Sequence, residues 1–202
     1  MKKSVVFPVM AVLVLFFVLS IGTYPAFTLD LLAMHEGHEM MMHGGSEARF
    51  DDSGALMKPE GYRQWVFVGG PVTPNDMNEG KAAFPEFHDV YMDPGSFAEY
   101  KKTGKFRDGT VLVKELVNVG SKKAASGNGY FPGDFAGIAA AVKDSKRFAK
   151  EPGNWAYFSF SAGKDKAEAF PTSACNACHQ AKAAEDWVFT QYYPVLRAAK
   201  PK

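Results

Sequence analysis

The sequence predicts a mainly β, α+β fold: an antiparallel sheet with one short helix between strands and a second helix near the C-terminus. Segments rich in branched and aromatic residues recur through the middle of the chain, and turn residues separate them. Helix formers dominate only near the end. The 202 residues leave room for one domain with additional segments. With 23 Lys+Arg against 22 Asp+Glu, the chain has no basic excess, so nucleic acid is not an expected partner.

Each predicted element follows from local composition. A helix is predicted for residues 96–104, with Gly104 as its stop. The segment 137–145 fits either a helix or a strand. We favour a strand because the turn residues Lys-Asp-Ser and a following Pro-Gly end it. The tail 173–193 predicts a helix that Pro194 breaks or bends. The strand predictions are YRQWVFVGG (62–70), FHDVYMDPG (87–95), DGTVLVKELVNVG (108–120) and NWAYFSFSAG (154–163).

The N-terminus predicts export. Lys2 and Lys3 precede an almost unbroken apolar run from Val5 to Phe27, an order typical of a signal peptide. The run is also long enough for a retained membrane anchor, since about 20 apolar residues span a bilayer. We assign residues 1–27 to a signal peptide or anchor and expect the rest of the chain to be periplasmic, at the membrane only if the leader is retained.

Residues 28–57 are predicted to be a flexible linker. His35, His38 and His43 lie there close to the methionines at positions 34 and 40–42, and imidazole and thioether groups suit copper. We favour a solvated linker over a metal site because polar, Gly-rich sequence buries too little surface to fold. The folded domain is then expected over residues 58–202.

The only two cysteines lie in one pentapeptide, Cys175-Asn176-Ala177-Cys178-His179. Cys-x-x-Cys-His is the attachment signature of haem c, in which two thiols bond the porphyrin and the histidine binds iron. A zinc site would need a second Cys/His cluster, and a thioredoxin-like pair would need a βαβ pattern. A disulfide across so short a loop is uncommon. Together with predicted export, the pentapeptide favours covalent haem c.

The position of the pentapeptide predicts the kind of haem chemistry. Only 23 residues follow His179, and none is Met or His. Upstream, His88 is more typical of a strand residue or pocket donor than of an axial ligand. An iron held by His179 alone keeps one face open, which favours small-ligand chemistry over plain electron transfer.

Lys114 interrupts the apolar pattern of the strongest strand. Side chains alternate along a strand, so Lys114 shares a face with Leu112 and Leu116. An edge lysine reaching water, or a salt bridge to a neighbouring strand, would explain it. A desolvated neutral amine beside haem would instead be a nucleophile.

Several long motifs then make the chain resemble the cytochrome P-460 family of ammonia-oxidising bacteria, which is related to cytochrome c′-β. The resemblance covers about residues 58–201. Its motifs are GYRQWVFVGGPVTPNDMNEGKAAF, VYMDPGSFAEYKKTGKFRDGTVLVKELVNVG, SGNGYFPGDFAGIAAAVKDSKRFAKEPGNWAYFSF, and CNACH with DWVFTQYYPVLRAAKP.

The resemblance implies a periplasmic haem c enzyme, often a homodimer, with a lysine bonded to the porphyrin besides the two thioethers; by strand position that lysine is Lys114. It implies oxidation of hydroxylamine, with nitric oxide, to nitrous oxide or to nitrite and nitric oxide, and a soluble cytochrome c as electron acceptor.

His88 stands where the family carries a pocket arginine. A carboxylate that aids proton removal is assigned to Glu168, with Asp165 behind it; the alternative is a solvated loop acid. The rival function is a non-enzymatic nitric oxide binder of the cytochrome c′-β type, without the cross-link.

Overall fold

The computed structural model describes residues 48–161 and 163–202. The leader at 1–27 and the predicted linker up to residue 47 lie outside the described residues. Within the described ranges, no helix is both long and apolar enough to cross a membrane.

A five-stranded sheet forms the body of the described chain. The strands of the described residues are β1 (Leu56–Met57), β2 (Val66–Gly69), β3 (Phe87–Met92), β4 (Val111–Ala124), β5 (Gly127–Lys143), β6 (Trp155–Phe160) and β7 (Lys166–Ala167). The spatial order of the five-stranded sheet is β2-β3-β4-β5-β6, and every neighbouring pair is antiparallel. Spatial order therefore follows chain order, and the predicted antiparallel, mainly β fold is confirmed. A small second sheet pairs β1 with β7.

The β4–β5 hairpin is longer than the sequence predicts. The strand predicted for 137–145 is confirmed as the end of β5, but β5 already begins at Gly127 in a Gly- and Pro-containing stretch. Gly120 and Gly133 face each other across the hairpin, where a Cβ on either would lie 2.7 Å from the other's Cα. Glycine here permits close strand approach, so residues that usually signal turns lie within a strand.

Helix α1 (Pro94–Thr103) confirms the predicted short helix. The Asp93 carboxylate accepts a hydrogen bond from the Ser96 backbone N–H at 2.7 Å, which caps the N-terminus. Pro94 occupies the first turn, and Gly104 ends the helix at φ 68°.

The predicted helix over 173–193 is wrong in its extent. Helix α2 (Asn176–Lys182) is one short segment, and α3 (Pro194–Ala199) follows a separate 3-10 turn. The Gln191 side chain ends α2, because it accepts from Ala184 N–H and donates to the Lys182 carbonyl. Pro194 begins α3 instead of breaking a helix, since proline fits the first helical position.

Apolar residues pack on both faces of the sheet, as the alternation in β4 predicts. Val111 and Val113 belong to a core cluster on one face, whereas Leu112 belongs to a cluster with Tyr100, Trp155 and the C-terminal helix on the other. Phe50 and Leu56, which we assigned to the end of the linker, pack against the first face, where Leu56 is fully buried.

Candidate functional site

A cavity of about 840 Å³ lies on the face of the sheet that carries Leu112. Small side chains at Ala139 and Ala141 of β5 form part of its floor, and the segment from Pro71 to Phe84 lines one side. Ligand pockets typically measure about 300–1,000 Å³, so the cavity can hold a cofactor.

The cavity brings together five of the seven residues that the sequence singled out for the haem site. Lys114 and His88 line it from β4 and β3, and Cys175, Cys178 and His179 line it from the α2 region. The β3–β4 register pairs His88 with Leu116 and Val90 with Lys114. His88 and Lys114 are therefore diagonal neighbours on the cavity face.

Asn176 anchors the pentapeptide to the sheet. Its side chain is 2 % exposed, and its Nδ2 donates to the Trp155 carbonyl at 2.9 Å, at the start of β6. Cys175 precedes α2 and is half-buried, whereas Cys178 is exposed, and both thiols are free. Burial raises the pKa of the Cys175 thiol. Asn176, one of the two residues between the cysteines, thus ties this segment to the start of β6.

The His179 imidazole is oriented from several sides. Its Nδ1 lies 2.7 Å from the Trp187 carbonyl, which can only accept, so Nδ1 carries the proton. Ring centroids of Tyr157 and Phe189 lie 4.3 Å and 4.7 Å from the imidazole. Burial lowers the pKa of His179. The neutral ring keeps the Nε2 lone pair for a metal, the usual arrangement of a ligating histidine.

The Trp187 carbonyl is held by an unusual turn. Asp186 and Trp187 have φ of 41° and 59°, in the left-handed region. The Asp186 carboxylate pairs with Lys143 Nζ at 2.9 Å, and Lys143 Nζ also donates to the Gly153 carbonyl at 2.9 Å. The Trp187 indole packs directly over Gly153, where a Cβ would lie 2.4 Å from the ring. This turn places the carbonyl that orients His179.

Lys114 lies on a central strand, so the edge-lysine explanation is wrong. Within the described residues it forms no salt bridge, and its Nζ lies 3.7 Å from the centroid of the Phe84 ring. Burial lowers the pKa of the Lys114 amine, and nearby Cys175 and Glu86 act in the opposite direction. The amine therefore loses its proton more readily than a solvated lysine does.

Glu168 is not part of this constellation. Its side chain is exposed beside β7 and does not line the cavity. Asp165, also exposed, binds Lys58 Nζ at 3.0 Å. In this structure both acids fit the alternative that we gave for them, solvated loop acids, because the chain after β6 carries them outside the cavity. The acid that acts electrostatically on both His88 and Lys114 is Glu86.

Sequence reasoning missed several cavity residues. Trp187 and Phe84 lie outside the strands and helices, although Trp187 fitted the spacing of the predicted tail helix, and each reaches the site only through tertiary packing. Tyr157 could have been predicted from the sequence, because it lies on the same face of the aromatic strand β6 as Trp155 and Ser159.

The donor set and the cavity fit haem. His179 offers a neutral imidazole, two thiols lie beside it, and the surrounding walls are largely apolar and aromatic. The Trp187 Nε1 is buried and has no hydrogen-bond partner among the described residues. An occupant with oxygen acceptors, such as a porphyrin carboxylate, would satisfy that donor.

Fold and site together define a haem-binding protein on an antiparallel sheet. A model of the family described as Cytochrome P460 matches residues 59–190, a range that includes both Lys114 and the pentapeptide. The chain belongs to the cytochrome P460 family, which implies a haem cofactor and iron binding. No curated protein matches the chain.

Proposed function

We propose that this chain is a periplasmic haem c enzyme that oxidises hydroxylamine, with nitric oxide as co-reactant, to nitrous oxide or to nitrite and nitric oxide. The haem is bonded to Cys175 and Cys178 and cross-linked to Lys114. The observation that carries this proposal is the desolvated Lys114 amine, which shares one cavity with both thiols and His179.

The bound haem supplies an iron that accepts electrons from a small nitrogen substrate. His179 Nε2 holds the iron, and the Trp187 carbonyl fixes the orientation of the imidazole. In its unprotonated form, the Lys114 amine would provide the lone pair for a bond to the macrocycle. No methionine lines the cavity, and His88 is its only other histidine among the described residues.

The reaction needs acceptors for protons and electrons. Hydroxylamine and nitric oxide give nitrous oxide, water, one proton and one electron. We assign the electron to a soluble cytochrome c and expect a homodimer in solution. Family resemblance and the predicted export segment support these assignments, and the leader decides whether the protein is held at the membrane.

Mass spectrometry of the haem-bearing peptides tests the proposal. In the wild type, the tryptic peptide with Cys175 and Cys178 should remain joined through haem to the strand that contains Lys114. Lys114→Ala should keep the two thioethers, release that strand, and lose hydroxylamine oxidation with an artificial electron acceptor.

Lys101→Ala is the matched control, because Lys101 is an exposed lysine on α1. It should retain the cross-linked peptide and the activity. A normal pyridine haemochrome spectrum from the denatured wild type, without hydroxylamine oxidation, would instead identify a nitric oxide binder of the cytochrome c′-β type.

A further inference from the structure

His88 lies inside the cavity on the same face as Lys114. It is half-buried at the start of β3 and stands opposite Leu116 of β4. Diagonal neighbours in an antiparallel pair are about 7 Å apart, so His88 and Lys114 face the same small volume. Asp89 and Glu115 alternate to the opposite face of the sheet.

The hydrogen bonds of His88 define its tautomer. Nε2 lies 3.0 Å from the Phe84 carbonyl, and a carbonyl can only accept, so Nε2 carries the proton. The same carbonyl accepts from Thr73 Oγ1 at 2.5 Å, and the Phe84 ring packs edge-on against the imidazole at 5.7 Å. In the neutral ring, Nδ1 therefore holds a free lone pair.

Burial and the neighbouring groups act on the pKa of His88 in opposite directions. Burial lowers its pKa most, and Lys114 lowers it further while its amine is protonated and not yet bonded to haem; the bond to Phe84 and the nearby Glu86 raise the pKa. The other charged group in the cavity wall is Lys81. Glu86 Oε2 is buried and has no hydrogen-bond partner among the described residues, so its carboxylate is available to stabilise an imidazolium.

We infer that His88 is the proton acceptor of the cavity. Its Nδ1 lone pair takes one proton from a small acid that enters as an iron ligand; the ring gains one positive charge, and the ligand keeps the electron pair. For hydroxylamine as the acid, the inference rests on the proposed function. In this inference the base is His88 and not Glu168, because Glu168 lies outside the cavity.

The association rates of hydrogen cyanide and nitric oxide distinguish a proton-accepting His88 from one that only controls steric access to the iron. Hydrogen cyanide must lose a proton to bind ferric iron as cyanide, whereas nitric oxide has none to lose. Positioned bases contribute about 10²–10⁴-fold, so His88→Gln should slow cyanide association at least about tenfold at neutral pH. Nitric oxide association should stay near the wild-type rate. Glutamine can still donate to the Phe84 carbonyl but cannot act as a base.

Thr73→Val is the matched control, because it removes the second bond to the same carbonyl and keeps the base. It should leave the ratio of cyanide to nitric oxide rates unchanged. Equal slowing of both ligands in His88→Gln, or no slowing of cyanide, would overturn the inference.

The wild-type holoprotein provides a second measurement that needs no variant. Its cyanide association rate should fall as pH drops through the pKa of His88, since the imidazolium cannot accept a proton, while the nitric oxide rate stays flat. Parallel profiles for the two ligands would contradict the inference. Neither measurement uses hydroxylamine. If the wild type does not oxidise hydroxylamine but its cyanide association depends on His88, only the proposed function is refuted.

Discussion

Replacing Gly153 with alanine tests whether the turn at Trp187 orients His179, the histidine that we propose as the haem ligand. Gly153 has φ 63° and ψ 9°, and a Cβ there would lie 2.4 Å from the Trp187 ring. The left-handed backbone costs a non-glycine residue about 1–2 kcal/mol, and alanine recovers about 0.4–1 kcal/mol by restricting the unfolded chain. Displacing the indole adds about 1–3 kcal/mol of overpacking.

Gly61 offers an almost identical backbone without the clash. Its φ is 64° and its ψ is 8°, and a Cβ at this position would have no atom within 4 Å. Gly61→Ala should therefore lose only about 1 kcal/mol of unfolding free energy. Gly153→Ala should lose about 2–4 kcal/mol of unfolding free energy. The difference from Gly61→Ala is the cost of displacing the Trp187 indole.

Equilibrium urea unfolding of the two holoproteins measures the difference. The reduction potential of the haem should shift in Gly153→Ala and not in Gly61→Ala, because only Gly153 supports the carbonyl bonded to His179 Nδ1. Equal unfolding free energies, within about 0.5 kcal/mol, together with equal potentials, would refute the reasoning.

Two further predictions concern the anchoring of the domain. Asn176→Ala should lose about 1–3 kcal/mol of unfolding free energy, because it removes the buried donor to the Trp155 carbonyl. The exposed Asn118→Ala should stay within about 0.5 kcal/mol of wild type in the same urea titration, and equal losses would contradict this role. Asp51 binds Lys166 Nζ at 2.7 Å, which holds the pKa of its carboxyl well below the ordinary value. Its stabilisation is present above the ordinary aspartate pKa and is lost as pH falls through the folded-state value. Asp51→Asn should therefore melt below wild type at neutral pH, with a gap that closes in acid; a gap independent of pH would exclude this account.

Much of the fold could be predicted because its signals are local. Alternation in residues 108–120 assigned the two faces of β4, and Gly104 marked the end of α1. The tail was predicted less well, because Gln191 ends α2 by a contact nine residues from Lys182. Propensity alone does not reveal such a contact.

The sequence by itself determined the chemistry that the site can hold. Two thiols and an imidazole at fixed spacing, and a lysine between two leucines of a strand, are properties of neighbouring residues. Only the tertiary structure decided which other groups meet them. It placed Trp187 and Phe84 at the cavity, made His88 a diagonal neighbour of Lys114 and left Glu168 outside. The physical reason is that local spacing fixes direction along a strand or helix, whereas strand register and turn geometry fix distances between remote residues.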